Sequence, residues 1–342
     1  MKKTLILAAA ALFAFVGCAQ IENPGNDAGK VEMSFVPLSG DVATRGYTTG
    51  TDFEETAKAD LHADGTDKAR DMQISAYLYP QNGEQGNYFV GKTYKQSTVG
   101  SATWCNFEND LHTPIYWPVG GTMDFLAYSL SEEVNVDVVW NDENAASQVV
   151  LDVPGENSQN DILFASAYGK KAPSAATDVP MVFNHAQAWI EFALTGTPVN
   201  VVNLKRIELE NVYNAGVLTI NNNKGNATAT WDFSAETKKN IEVDNEYTVT
   251  KLNSTAQFLD MLIPQQKKTA FVIYYTLGED TQELSYRFTT DQKTWLMGEK
   301  YVYNINITTT EVTVKPTVTV WADGDVADVN AQTSGDPDYK IF

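Results

Sequence analysis

Over residues 301–308 the chain alternates without a break: Tyr301, Tyr303, Ile305 and Ile307 share one parity, and Asn304, Asn306 and Thr308 share the other. A period of two puts successive side chains on opposite faces of a strand, so the segment reads as an antiparallel strand with one wet face. The same texture recurs along most of the sequence. Ile190, Phe192 and Leu194 point one way and Trp189, Glu191 and Ala193 the other, while Ile207 and Leu209 flank Glu208. Further strands are expected at 72–79, 88–94, 123–130, 134–140, 148–153 and 162–168, then at 216–220, 227–233, 256–263, 271–275 and 284–288. Gly, Pro and Asn clusters separate them. Only residues 53–61 suggest a helix, and it is short. Many short strands with no helix long enough for a crossover predict an all-β protein of two β-sandwich domains in tandem, with a boundary near Pro180.

The first residues carry a different signal. Lys2 and Lys3 precede an unbroken apolar run from Leu5 to Val16, followed by Gly17 and Cys18, which is the layout of a cleaved signal peptide. The run falls short of the roughly 20 apolar residues that a spanning helix needs. Phe15-Val16-Gly17-Cys18 resembles a lipobox, so residues 1–17 are expected to be removed and Cys18 to become a lipidated N-terminus. The alternative is an ordinary signal peptide with an incidental cysteine. Ala19 rather than Asp follows the cysteine, which favours delivery to the outer membrane or cell surface. Residues 19–30 are polar and rich in breakers, the composition of a tether. Val31, Met33 and Phe35 then alternate as a half-buried strand ending near Pro37, and a second break leads through Gly40 and Asp41 to Thr44-Arg45-Gly46-Tyr47.

Charge and chemistry narrow the function classes. The chain holds 24 Lys+Arg against 44 Asp+Glu, a formal net charge of -20; it lacks the basic footprint of a nucleic-acid binder, and its field opposes anionic lipid headgroups. Membrane attachment is therefore expected through the acyl chains on Cys18 alone. Once Cys18 is lipidated, the only other cysteine, Cys105, is left without an intramolecular partner. His62, His112 and His185 are widely separated, without metal-ligand spacing to a cysteine or carboxylate. His185, just before a predicted strand, reads as a structural histidine. No Gly-x-Ser-x-Gly, His-Glu-x-x-His or Walker-type loop is present, and Asp323, Asp325 and Asp328 lack the rest of a calcium loop. The expectation is a protein that is not an enzyme and carries no cofactor or metal.

Phe183-Asn184-His185 followed by Ile190-Glu191-Phe192 resembles the fimbrillin or Mfa-like family, the type V pilins of Bacteroidales. Asp161-Ile-Leu-Phe-Ala165, Leu204 to Val212, Met261-Leu-Ile-Pro264, Trp295-Leu-Met-Gly298 before Tyr301-Val-Tyr303, and Val320-Trp321 with Asp323-Gly324 fit the same family in order and spacing. The resemblance implies two transthyretin-like β-sandwich domains, a lipoprotein precursor bearing palmitate, and a trypsin-like protease that cuts at an arginine; Arg45-Gly46 matches that site. The organisation it implies is a signal peptide at 1–17, a tether and N-terminal strand (propeptide) at 18–45, a first domain at 46–180 and a second at 181–342. The implied location is the outer membrane and the fimbrium on the cell surface. The implied partners are other pilin subunits, the processing protease, and host glycans or proteins met in adhesion.

A mechanism can be argued from the residues. Cutting after Arg45 frees Val31, Met33 and Phe35, and if their strand fills a groove, its loss leaves an apolar trough with unpaired backbone. Val312, Val314, Val318 and Val320 share one parity, interrupted by Pro316, so residues 312–321 form a candidate donor strand for a neighbouring subunit. Burying four valines is worth roughly 6 to 12 kcal/mol gross at about 1.5 to 3 kcal/mol each. Head-to-tail insertion does not close on itself and yields filaments. Two plainer readings stand beside this one: Arg45 as an exposed loop arginine, and the valine row as the last strand of its own second domain. The rival function is a surface glycan-binding lipoprotein using Trp104, Trp117, Trp140, Trp231 and Trp295.

Overall fold

The structure is a computed structural model and describes residues 30–39, 71–97, 103–109, 111–130, 135–141, 146–153, 161–197, 202–223, 226–233, 238–243, 250–308 and 310–320. Cys18, Arg45, Gly46, the suggested helix at 53–61, His62, Trp321 and the terminal aspartates lie outside them. The described chain is all β. Its strands in the first half are β1 (Phe35–Ser39), β2 (Met72–Tyr79), β3 (Gly86–Gln96), β4 (Trp104–Glu108), β5 (Leu111–His112) and β6 (Thr122–Leu130). There follow β7 (Asn135–Asn141), β8 (Ala146–Val153), β9 (Ile162–Lys170), β10 (Val179–His185), β11 (Gln187–Gly196) and β12 (Val202–Tyr213). Next come β13 (Gly216–Asn223), β14 (Asn226–Asp232), β15 (Lys238–Glu242), β16 (Thr250–Leu252), β17 (Gln257–Pro264) and β18 (Gln266–Lys267). The last are β19 (Phe271–Leu277), β20 (Leu284–Phe288), β21 (Thr294–Trp295), β22 (Glu299–Ile307) and β23 (Val312–Val320).

The largest sheet runs β1-β10-β9-β6-β2-β3-β4-β5, and an additional pairing of Phe35 with Trp104 joins β1 to β4. Seven strands thus return to their start around one core. Period-two patterning builds that core: Met72, Ile74 and Ala76 of β2, Met123, Phe125 and Ala127 of β6, and Leu163, Ala165 and Ala167 of β9 all point inward. Met33, Phe35, Met181 and Phe183 complete it.

In the second half, the sheet β17-β11-β22-β23 lies over the sheet β15-β12-β19-β20. Ile190, Phe192, Leu209, Phe271, Tyr303 and Ile305 pack between them. Phe192 stacks on Tyr303 and meets Phe271 edge to face at 4.9 Å, and such aromatic pairs add to the burial of their area. A third sheet, β14-β13-β8-β7, draws one hairpin from each side of residue 180. Its Leu218 and Ile220 cover Leu126, Tyr128, Ile162 and Phe164 on the outer face of the first sheet. Residue 180 itself lies inside β10.

One pairing corrects the sequence reading. The strand at 301–308 is antiparallel to β23 but parallel to β11, with Ile190 opposite Tyr301 and Leu194 opposite Ile305. A parallel pair needs a long return path; here the opposite sheet of the sandwich supplies it in place of a helix. β1 and β10 are also parallel, with Phe35 opposite Val179 and Pro37 opposite Met181.

Candidate functional site

The N-terminal segment sits in a trough between two walls of the first sheet. On one wall, Val179 donates its N–H to Ser34 O at 2.9 Å and the β10 ladder continues to Ser39. On the other, Met33 N–H donates to Ile115 O at 2.7 Å and Trp117 N–H to Val31 O at 2.9 Å. Glu32 forms an isolated antiparallel bridge with Tyr116. Met33 and Phe35 are completely buried, and Val31 packs partly exposed against the same core. Phe35 meets Tyr94 and Phe125 edge to face at 4.8 and 5.1 Å. The strand runs past Pro37 to Ser39 because in a parallel edge-to-edge seat the missing proline N–H costs only one ladder bond.

Polar side chains pin the same segment. Ser34 Oγ donates to Asp178, whose other carboxylate oxygen accepts from Thr103 Oγ1 at 2.6 Å. Glu32 Oε1 lies 2.6 Å from His112 Nε2. Burial pushes the Glu32 carboxyl above its ordinary value, against the opposing pull of His112. Sequence reasoning missed these contacts because the partners lie 80 residues apart for Glu32 and His112 and 144 apart for Ser34 and Asp178. Only the pairing of β1 with the far strands brings them together.

One chemical expectation changes. The fold gathers Glu32, Cys105 and His112 with ligand atoms all within 4.8 Å, although no spacing in the sequence suggested it. Cys105 is buried on β4. His185 is buried beside Asp161, with Nδ1 at 2.8 Å from its carboxylate.

The C-terminal valine row lies at the other end of the molecule's strand order. β23 pairs with β22 over nine residues, from Val320 opposite Glu299 to Val312 opposite Ile307. Val312 is buried, and Val314 and Val318 pack partly exposed on the second core; the Val320 side chain lies outside the described residues. The far side of β23 pairs with no strand among the described residues. In this structure the row is thus the edge strand of its own sheet. Trp104 and Trp295 are fully buried, Trp117 nearly so, and Trp231 packs on the third core while donating to Ala186 O at 2.7 Å, so among the described residues these four form no surface platform. The Trp140 side chain lies outside the described residues.

Comparison with known proteins bears on this arrangement. The family model described as fimbrillin-like matches residues 44–321. No curated protein matches. Among solved structures, a candidate cell adhesion protein from Bacteroides ovatus superposes with a TM-score of 0.50 at 13% identity, covering 86% of this chain and 99% of the other. A fimbrial protein from Bacteroides vulgatus gives a TM-score of 0.48 at 16% identity, covering 86% and 99%. At these identities the first likeness speaks to the fold alone.

Proposed function

The chain belongs to the fimbrillin-like family, a membership that supports a fimbrial subunit role at the cell surface, and from that premise we propose that subunits are exported as lipoproteins through Cys18 and joined by strand exchange. Cleavage after Arg45 releases the segment that carries β1. The vacated trough then takes the Val312–Val320 strand of a neighbouring subunit.

The observation that carries this reading is the seat of β1 between β10 and β4. Its departure bares backbone on both walls and a pocket for the two fully buried side chains Met33 and Phe35. Such a trough recruits a strand. The donor is chemically suited to it. Phe35-Val36-Pro37 and Val314-Lys315-Pro316 both place a proline two residues after an apolar side chain on the same face, so both strands omit an N–H at a comparable point. β23 is also free to leave, since β22 keeps β11 as its partner on the other side.

The test is controlled digestion of the purified exported protein with trypsin. A cut after Arg45 is expected to convert monomers into heat-resistant multimers, while uncut protein stays monomeric. Protein that is cut at Arg45 and remains monomeric would contradict strand exchange.

A further inference from the structure

The segment that fills the trough and the strand proposed to replace it share more than a proline. From Val31 to Ser39 the first reads Val-Glu-Met-Ser-Phe-Val-Pro-Leu-Ser, and from Thr310 to Val318 the second reads Thr-Glu-Val-Thr-Val-Lys-Pro-Thr-Val. Laying Pro316 on Pro37 sets Glu311 on Glu32, Val312 on Met33, Thr313 on Ser34 and Val314 on Phe35. Of all the glutamates in the chain, only Glu32 and Glu311 are followed by an apolar residue, a hydroxyl residue, a second apolar residue, any residue and then proline. Strand alternation explains the apolar positions. It does not call for a carboxylate, a hydroxyl and a proline at the same three places.

In the trough each of those places meets the wall. Glu32 Oε1 lies 2.6 Å from His112 Nε2. The buried Ser34 donates its hydroxyl to Asp178, and Asp178 accepts from Thr103 at its other oxygen. Pro37 is buried opposite Met181. An apolar strand without the carboxylate and the hydroxyl would leave His112 and Asp178 each short of a hydrogen bond, a loss that discriminates against the wrong occupant.

We infer that the donor strand of a second copy of this chain enters in the register and direction of β1, with Glu311 taking the place of Glu32 against His112 and Thr313 that of Ser34 against Asp178. The inference rests on strand exchange and adds to it the residues that select the partner. In this register Val314 stands opposite Val179 and Val318 opposite Phe183, parallel to β10, where Phe35 and Ser39 stand in the uncut chain. Val312 and Val314 fill the Met33 and Phe35 pockets less fully, so selection falls on the polar contacts. A shift of the donor by two residues one way sets Glu311 against Asp178, carboxylate to carboxylate. The opposite shift brings Lys315 to Asp178 but takes Glu311 away from His112 and puts Pro316 in the seat of Phe35. That seat is paired with Val179 on one wall and Trp104 on the other, where a missing N–H is least tolerated. Seating Glu311 also opens the turn before β23, in which Thr308 N–H donates to Glu311 O and Glu311 N–H to Thr308 Oγ1, both at 2.9 Å. The neighbouring trough then lies close to the end of β22 at Ile307.

The experiment reads register and recognition separately, on full-length chains cut after Arg45. Light-isotope subunits carrying a photo-crosslinker at position 315 or 317 are mixed with heavy-isotope subunits before the cut. Adducts are expected on Pro180 of the heavy subunit from position 315 and on Val182 from position 317, because Val36 and Leu38 stand opposite those residues. Adducts between isotopes at other residues of the trough, or in the reverse order, overturn the register and leave strand exchange intact; no adduct between isotopes defeats both. Recognition is read from the half-time for multimers to come apart in denaturant. Thr313→Val and Glu311→Ala are expected to shorten it about tenfold, whereas Thr313→Ser and Thr317→Val should match wild type. Multimers of Thr313→Val and Glu311→Ala that last as long as wild type overturn the roles of Asp178 and His112. Equal shortening by Thr317→Val overturns them too, since the loss would then belong to the strand and not to its polar contacts.

Discussion

Phe35 is the side chain on which the trough most depends, being fully buried between Tyr94 and Phe125. Phe35→Ala should lower the stability of uncut protein by about 3 to 5 kcal/mol in denaturant titrations. The same substitution should leave cleaved, assembled protein unaffected, because the residue has departed with its segment; equal losses in both forms would show that β1 stays. Glu32 adds a pH dependence with a definite sign. Its carboxyl is raised by burial, so its contribution to folding is present in full below the ordinary carboxylate value and fades as pH rises through the raised one. The groups around it are His112 on β5, Cys105 on β4 and Tyr94 on β3. Melting of uncut Glu32→Gln should show a flatter dependence than wild type between about pH 4 and 7. At this scale the sequence was legible where parity decides: Met33 and Phe35 are inward because they alternate. Glu32, His112 and Asp178 were not, because nothing local marks a contact made across 80 or 144 residues. Of the tryptophans weighed for the rival reading, Trp104, Trp117 and Trp295 are buried, since a large ring that suits a sugar also fills a core.

Among elements, most strands could be read directly, and 72–79 and 284–288 match their observed bounds. Partner and direction could not, since alternation fixes which face is apolar but not which strand lies alongside. That is why the parallel seat of β22 on β11, and the sheet shared by β7–β8 and β13–β14, emerge only from the structure. The element that matters most is β23. Among the described residues it has one neighbour, and Val312, Val314 and Val318 lie over the second core. Deleting everything after Thr310 should leave a folded monomer that is cut at Arg45 but cannot multimerise, as judged by circular dichroism and size-exclusion chromatography. Val318→Asp should block assembly likewise, since an unpaired charge in an apolar pocket costs several kcal/mol. A truncated chain that fails to fold would instead make β23 an indispensable strand of its own sheet.

For the whole molecule, the trough and the proposed donor belong to different cores, so a strand passed from one chain to the next would link subunits head to tail and leave each end open to another. Mass spectrometry of the mature N-terminus on cells bears on the first step: lipidated Cys18 is expected on the anchored form and free Gly46 on the assembled one, and an unmodified Cys18 would remove the lipid tether from the scheme. The most direct test of strand exchange places a photo-crosslinker at position 318 in light-isotope subunits, mixes them with heavy-isotope subunits, and cuts both after Arg45. Position 318 is then expected to crosslink to β10 or β4 of a subunit of the other isotope. Crosslinks that remain within one chain, to Tyr301 opposite Val318 on β22, would contradict it.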